Sequence, residues 1–355
     1  MRFILSLLFV GAILFQPLGI SAFETDQYNL PPEPLVDIGN EVSEHVEQNL
    51  RKAIGEVNAE IAEHEACVTD MIKPKSCGSS GDEVKKLAFL RSDRAVADAV
   101  FKLLGDGNLF IAKTGKWFRE QKFNGSPDRY KVSYGDSIYV FMPLDYATLS
   151  PTVKLYGSEF GTDKIDHFFQ QGHKYYTIRD SGLKKRKTAV EAEKKAVKWG
   201  QRTERTYFGL LVSGVYSNAD LFANYVGMKF YQGLTEPVTV GESIRPAIFK
   251  LENGFWQINE NVDLRDSLIK PFLTDHLNEA LNPSGYAFNV YPTVRRVVRD
   301  HACPEWRKLM PNATKADLEK RSTSLETWYG EDYGFTKKSK TVSIADSCFP
   351  ASDKL

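Results

Sequence analysis

Two polar stretches lie inside otherwise apolar, helix-patterned sequence. The first is EFGTDKIDHFFQQG, residues 159–172. Asp163 and His167 are four apart, so a helix places them on one face. A carboxylate and an imidazole at this spacing form a working unit. The acid can orient and basify the ring, or both can ligate one metal. The second stretch is SNADLFANYVG, residues 217–227. Asp220, Asn224 and Gly227 again share one helical face, and Gly227 would let another backbone approach closely. Glu204 precedes Asp220 on the preceding predicted helix. The candidate catalytic set is therefore Asp163, His167, Glu204, Asp220 and Asn224. Asp163 would orient His167 as general base or metal ligand. Glu204 or Asp220 would be the acidic partner, and Asn224 would hold substrate by hydrogen bonds. The reading demands that His167, Glu204 and Asp220 converge. Whether a metal or other cofactor takes part is left open.

The same residues admit a structural reading. Ser217-x-x-Asp220 before an apolar run fits a capping box. Thr162 can cap the helix that follows it, with Asp163 favouring the helix dipole. The polar residues would then form a buried network that fixes helix packing. An aromatic-rich surface around Phe168, Phe169, Tyr175, Tyr176, Phe230 and Tyr231 would in that case serve for binding, although aromatics at these helical spacings are more often core.

The pattern DK-x-x-HF, then Glu, then S-x-x-DL-x-AN-x-x-G resembles the VanZ-like superfamily, above all its predicted periplasmic (lipo)protein branch of unknown function. The matching residues are Asp163, Lys164, His167, Phe168, Glu204, Ser217, Asp220, Leu221, Ala223, Asn224 and Gly227, within residues 158–232. VanZ-like proteins are typically membrane-embedded, whereas a charged helix near 184–205 interrupts this segment. The family has no established reaction, so the resemblance implies a site without naming its chemistry.

Other motifs carry less. Trp256-Gln257-Ile258-Asn259 resembles a short lysozyme string but ends an expected hairpin. Glu159, Glu204 and Glu279 could supply the two acids of a glycosidase. Glu279, however, reads as a helix-surface residue before a turn at Pro283. The histidines show no metal-ligand spacing, and HExxH, Walker, GxGxxG and GxSxG motifs are absent from the sequence. Nucleotide binding and serine esterase chemistry are thereby disfavoured.

The elements that must position these residues are mostly helices, so the predicted class is mainly α (α+β): a helical bundle with a few short strands. After an extended lead-in (23–36), residues 37–355 read as one mainly helical domain. Apolar positions from Val42 to Ile61 predict an amphipathic helix over 37–65, and a second is expected over 83–104, together a helical hairpin (37–105). Leu109–Ala112 and Ser137–Met142 are candidate strands. Helices are expected at 163–176, 185–213 and 217–232, with the basic run at 184–187 a solvated helix end. Asn253-Gly254 marks a β-hairpin within 244–259. Short helices follow at 275–281, 286–300 and 314–328, so hairpin and helices fill 244–355.

Residues 1–22 have a single charge, Arg2, then an apolar run, a breaker at Pro17 and a small-residue end. This is the layout of a signal peptide cleaved after Ala22. Cys67, Cys77, Cys303 and Cys348 then read as two disulfides of an exported protein, 67–77 and 303–348 being the preferred pairing. A periplasmic or secreted location follows. The chain has 46 basic and 46 acidic residues, and losing Arg2 leaves a net of −1. That balance argues against a nucleic-acid partner. The expected ligand is an envelope glycan, peptide or lipid head group, with membrane-surface association left open. The fallback is a non-catalytic envelope protein.

Overall fold

The computed structural model describes residues 24–69, 77–108, 111–141 and 149–349. The proposed signal peptide lies outside the described residues, as do Leu109, Phe110 and Met142 of the two candidate strands. The chain is mainly α, with short antiparallel strand pairs. Among the described residues no helix is long and apolar enough to cross a membrane.

Helix α1 (Gly39–Thr69) buries Val42, Val46, Leu50, Ile54, Val57 and Ile61, the predicted stripe. The expected second helix is two: α2 (Ser80–Leu90) and α3 (Asp93–Leu104). They divide at Arg91 because Ser92 turns extended and caps the amide of Ala95. Both pack on α1, and Cys67–Cys77 bridges the ends of the hairpin. Two-residue strands β1 (Gly107–Asn108) and β2 (Ile111–Ala112) lead into α4 (Lys113–Glu120). Over its described residues, 137–141, the strand expected at 137–142 does not form. A 3-10 turn at Tyr134–Asp136 precedes the stretch and further turns occupy it, because Asp26 captures the amide of Ile138. Strands appear instead as the hairpin β3 (Thr152–Leu155) and β4 (Ser158–Gly161).

The helix expected at 163–176 is longer and irregular. A helical turn, α5 (Asp163–Asp166), runs through a π-helical turn (His167–Gln171) into α6 (Gly172–Lys184) without a break. After the exposed basic run, α7 (Ala189–Glu204) starts on a capping box at Thr188 and Glu191 and ends before the expected 213. Strand β5 (Val215–Tyr216) precedes α8 (Asn218–Gln232). Every residue from Asn218 to Tyr231 is buried. A helix buried all round is a core helix, and α6 lies against it. At their crossing, a Cβ on Gly227 would stand 2.1 Å from the carbonyl oxygen of Phe168 and 2.9 Å from Cα of Gly172. Gly227 thus permits the close approach its position predicted.

Strands β6 (Val238–Val240) and β7 (Ser243–Arg245) pair next, then β8 (Phe249–Glu252) and β9 (Phe255–Ile258). Asn253 and Gly254 both take positive φ, the two-residue hairpin turn expected there. Trp256 serves packing: its indole donates to the carbonyl of Leu90. Further on come α9 (Leu264–Ser267) and strand β10 (Gly285–Tyr286), which pairs with β5. The helix expected at 275–281 is only a 3-10 turn, Asp275–Leu277, because Asn278 leaves helical geometry and caps the next turn with its side chain. Then follow α10 (Tyr291–Val297), α11 (Cys303–Leu309), α12 (Lys315–Ser324) and α13 (Ile344–Cys348). Cys303–Cys348 joins α11 to α13. A second apolar cluster forms there around Tyr28, Val294, Val298, Trp306 and Ile344.

Candidate functional site

The centre of the site is Lys164, whose side chain has no solvent exposure. Its ammonium lies 2.5 Å from Asp163 Oδ2, 2.6 Å from Asp220 Oδ1 and 2.7 Å from Glu279 Oε1. Those acids come from the start of α5, the first turn of α8 and the turn after residue 277. Three carboxylates converging on one ammonium explain why a lysine can be buried at all. Burial works to lower the Lys164 pKa, but Asp163, Asp220, Glu279 and Glu24 outweigh it and hold the group well above its usual range. Lys164 is thus a fixed cation and not a nucleophile.

The lead-in closes this cluster. Thr25 donates to Asp163 Oδ1 at 2.6 Å, and the Gln27 side chain accepts from the amide of Glu279. Glu24 lies beside them, and Tyr139 donates to both Glu24 Oε2 (3.4 Å) and Glu279 Oε2 (3.3 Å). Oxygens of Glu24, Asp163 and Glu279 lie within 4.8 Å of one another. This is the acid set that could surround a metal, but Lys164 already holds two of its three members and supplies the positive charge a metal would bring.

On the other side, Ser217 caps α8. Its hydroxyl accepts from the amide of Asp220 and donates to Glu279 Oε1 at 2.8 Å. Its own amide donates to Glu204 Oε2 at 3.3 Å. The capping-box reading is therefore half correct. Ser217 does cap, but the Asp220 carboxylate turns away to Lys164 and to His167 Nε2, 3.3 Å away. Thr162 makes no cap; its buried hydroxyl has no hydrogen-bond partner among the described residues.

The assignment of Asp163 as the orienter of His167 is corrected. Thr25 and Lys164 take the Asp163 oxygens, and neither partner is visible in helical spacing. The ring of His167 is held by Asp220 at Nε2 and by Asn224 Oδ1 at Nδ1, 3.0 Å away. Asn224 thus positions the ring. His167 retains 17% side-chain exposure and is the least buried member of the group.

Five acids, Glu24, Asp163, Glu204, Asp220 and Glu279, are buried around one buried ammonium. They cannot all be ionised at reasonable cost. Burial, with Glu279 and Asp220 nearby, pushes Glu24 well above the usual carboxylate range. Burial and Asp220 do the same to Glu204. Burial also raises Glu279, against the pull of Lys164. Asp220 moves the other way: burial would raise it, but His167 and Lys164 together hold it below its usual value. The cluster thus divides: its surroundings favour Asp220 as the carboxylate and favour the protonated form of Glu24, Glu204 and Glu279. Glu204 Oε1 is buried with no hydrogen-bond partner among the described residues.

All five sequence-chosen residues belong to this one assembly. His167 and Asp220 touch, while Glu204 joins them through Ser217 and not directly. The reading of Glu279 as a surface residue is corrected, since it is fully buried against Lys164. Lys164 and Glu24 were not singled out for chemistry. Lys164 lay within the quoted motif, and a lysine between two acids in apolar sequence was its signal; nothing local marked Glu24. The proposed aromatic surface is also corrected. Phe168, Phe169, Tyr175, Tyr176, Phe230 and Tyr231 are all buried, filling the seam of α6 and α8.

In comparisons with known proteins, no family model, no curated protein and no solved structure matched the chain.

Proposed function

We propose that this is an exported envelope protein whose Lys164-centred acid cluster supports His167 as the acid–base group of a hydrolase. The observation that carries the reading is His167 itself. It is partly exposed and rests on an ionised Asp220, with proton-bearing acids packed behind. Such a layered arrangement suits proton exchange with a ligand at the rim. Two disulfides fit an oxidising compartment, and the VanZ-like resemblance adds a periplasmic setting. The ligand class is an envelope glycan, peptide or lipid head group.

A second reading is favoured by one specific contact. Both ring nitrogens of His167 already have protein partners, as a packing network would require. The two readings separate in one experiment. Purified mature wild type and His167→Ala are incubated with peptidoglycan and with phospholipid vesicles, products are read by mass spectrometry, and melting is followed by circular dichroism. A hydrolase gives products from wild type and a folded variant slower by about a thousandfold. No product from either substrate, or a folded variant with full activity, overturns the catalytic role. Loss of folding without separable activity establishes the network.

A further inference from the structure

A cleft of about 430 Å³ is lined in part by the end of the π-helical turn that carries His167. Gln170 and Gln171 lie on that turn, and the amide of Gly172 closes it by donating to the carbonyl of His167. Aromatic walls come from three separate segments: Phe101 of α3, Trp199 of α7, and Phe208 in the turns that follow Glu204. Asp106 adds a carboxylate at the edge. Two of the rings are braced by neighbouring rings, one of which, His173, also lines the cleft. Phe101 stacks on His173 with centroids 4.1 Å apart and planes at 14°, and His173 is fixed by Asp98 at 2.8 Å. Trp199 meets the buried ring of Tyr175 edge-on at 5.9 Å.

From this geometry we infer a binding site for a neutral oligosaccharide, which narrows the ligand class proposed above to a glycan. Sugar rings have an apolar C–H face and a rim of hydroxyls. The aromatic walls match the first. Side-chain amides, each both donor and acceptor, match the second, because every hydroxyl is also both. The charge pattern selects against anionic ligands. Among the described residues Lys174 is the one lysine or arginine of this lining, and it sits over the Trp199 ring at 5.9 Å, whereas a phosphate head group calls for several cationic donors. The volume falls in the range of small-ligand sites. A larger cleft of about 590 Å³ along α1 is lined by charged and polar side chains such as Glu44, Glu47, Arg51 and Asp263, without an aromatic wall.

The test is calorimetric and fluorimetric titration of the purified mature protein with chitotriose, with cellotriose and with phosphatidylglycerol vesicles. The expected result is saturable binding of at least one trisaccharide and none of the vesicles. Trp199→Ala and Phe208→Ala should each weaken it about tenfold, as loss of one stacked ring implies, and Trp199→Phe should restore most of it. Circular dichroism melting confirms that each variant is folded. Absence of saturable binding to both sugars, vesicle binding in their place, or affinity unchanged in both ring variants overturns the inference. Binding is measured without turnover. A protein that binds sugar yet hydrolyses nothing keeps this inference and removes the hydrolase, and hydrolysis without sugar affinity does the reverse.

Discussion

The single turn of α5 sends carboxylates into two environments. Asp163 joins the Lys164 cluster, while Asp166 faces α4. There Asp166 accepts from the amide of Ala112 at 2.8 Å and from Arg119 at 2.7 Å. Gly115 leaves room for it, since a Cβ there would stand 1.8 Å from Asp166 Oδ1. Burial still pushes Asp166 up to about 6. One acid, one guanidinium and one amide make a complete local joint. The Lys164 cluster differs in stoichiometry, with five acids around one ammonium. A joint needs only enough charge to balance. The surplus of protonatable acid sets the cluster apart as a place where protons are held.

The largest expected effect comes from removing the cation. Lys164→Met leaves Asp163, Asp220 and Glu279 facing one another without compensation. It should cost on the order of 5 kcal/mol in urea denaturation. A variant as stable as wild type would reduce the cluster to the rank of the Asp166 joint.

Next is Glu204→Gln, read as stability against pH. A carboxyl raised in the fold binds more protons folded than unfolded, so it favours the fold most at low pH. That contribution fades as pH rises from the unfolded value towards the folded one. Glutamine lacks this loss. The stability of Glu204→Gln relative to wild type should therefore rise by up to about 1.4 kcal/mol per pH unit once the pH passes 4.5. A flat difference would show that Glu204 carries no excess proton.

Asp166→Asn gives the contrasting window. Its folded value of about 6 against 3.8 confines the change to pH 4–6, with a total of no more than about 3 kcal/mol and a plateau above. A slope continuing to pH 8 would overturn that window. The smallest effect belongs to Thr25→Val, which removes one hydrogen bond to Asp163 and should cost about 1 kcal/mol. It should leave both pH profiles in place.

The parts that the sequence makes legible are those with local physics. The stripe of α1, the Asn253-Gly254 turn and the Gly227 crossing follow from spacing alone, and the preferred one of three possible disulfide pairings is the one that forms. The candidate site was legible as far as its residues shared helices: Asp220 with Asn224, and His167 nearby. Its wiring was not, because Asp163 and Lys164 also take partners from Thr25 and Glu279, and no periodicity connects those. The reading of 137–142 as a strand failed for a related reason, since Asp26 pulls the Ile138 amide away from sheet pairing. Helix 83–104 failed more simply. Its apolar spacing continues across Arg91–Ser92, and the capping serine won.

The hydrogen bond from the Glu279 amide to Gln27 spans 252 residues. Contacts of such long range carry a large loop-closure entropy and form after local ones. The hairpin of α1 to α3 can assemble early, but Lys164 cannot be enclosed until both distant segments have arrived. Glu24, Glu204 and Glu279, the members that burial pushes upward, therefore gain affinity for protons only when those segments close over them. Completion of the fold is then itself a protonation event, and its rate should slow as the refolding buffer is made more alkaline.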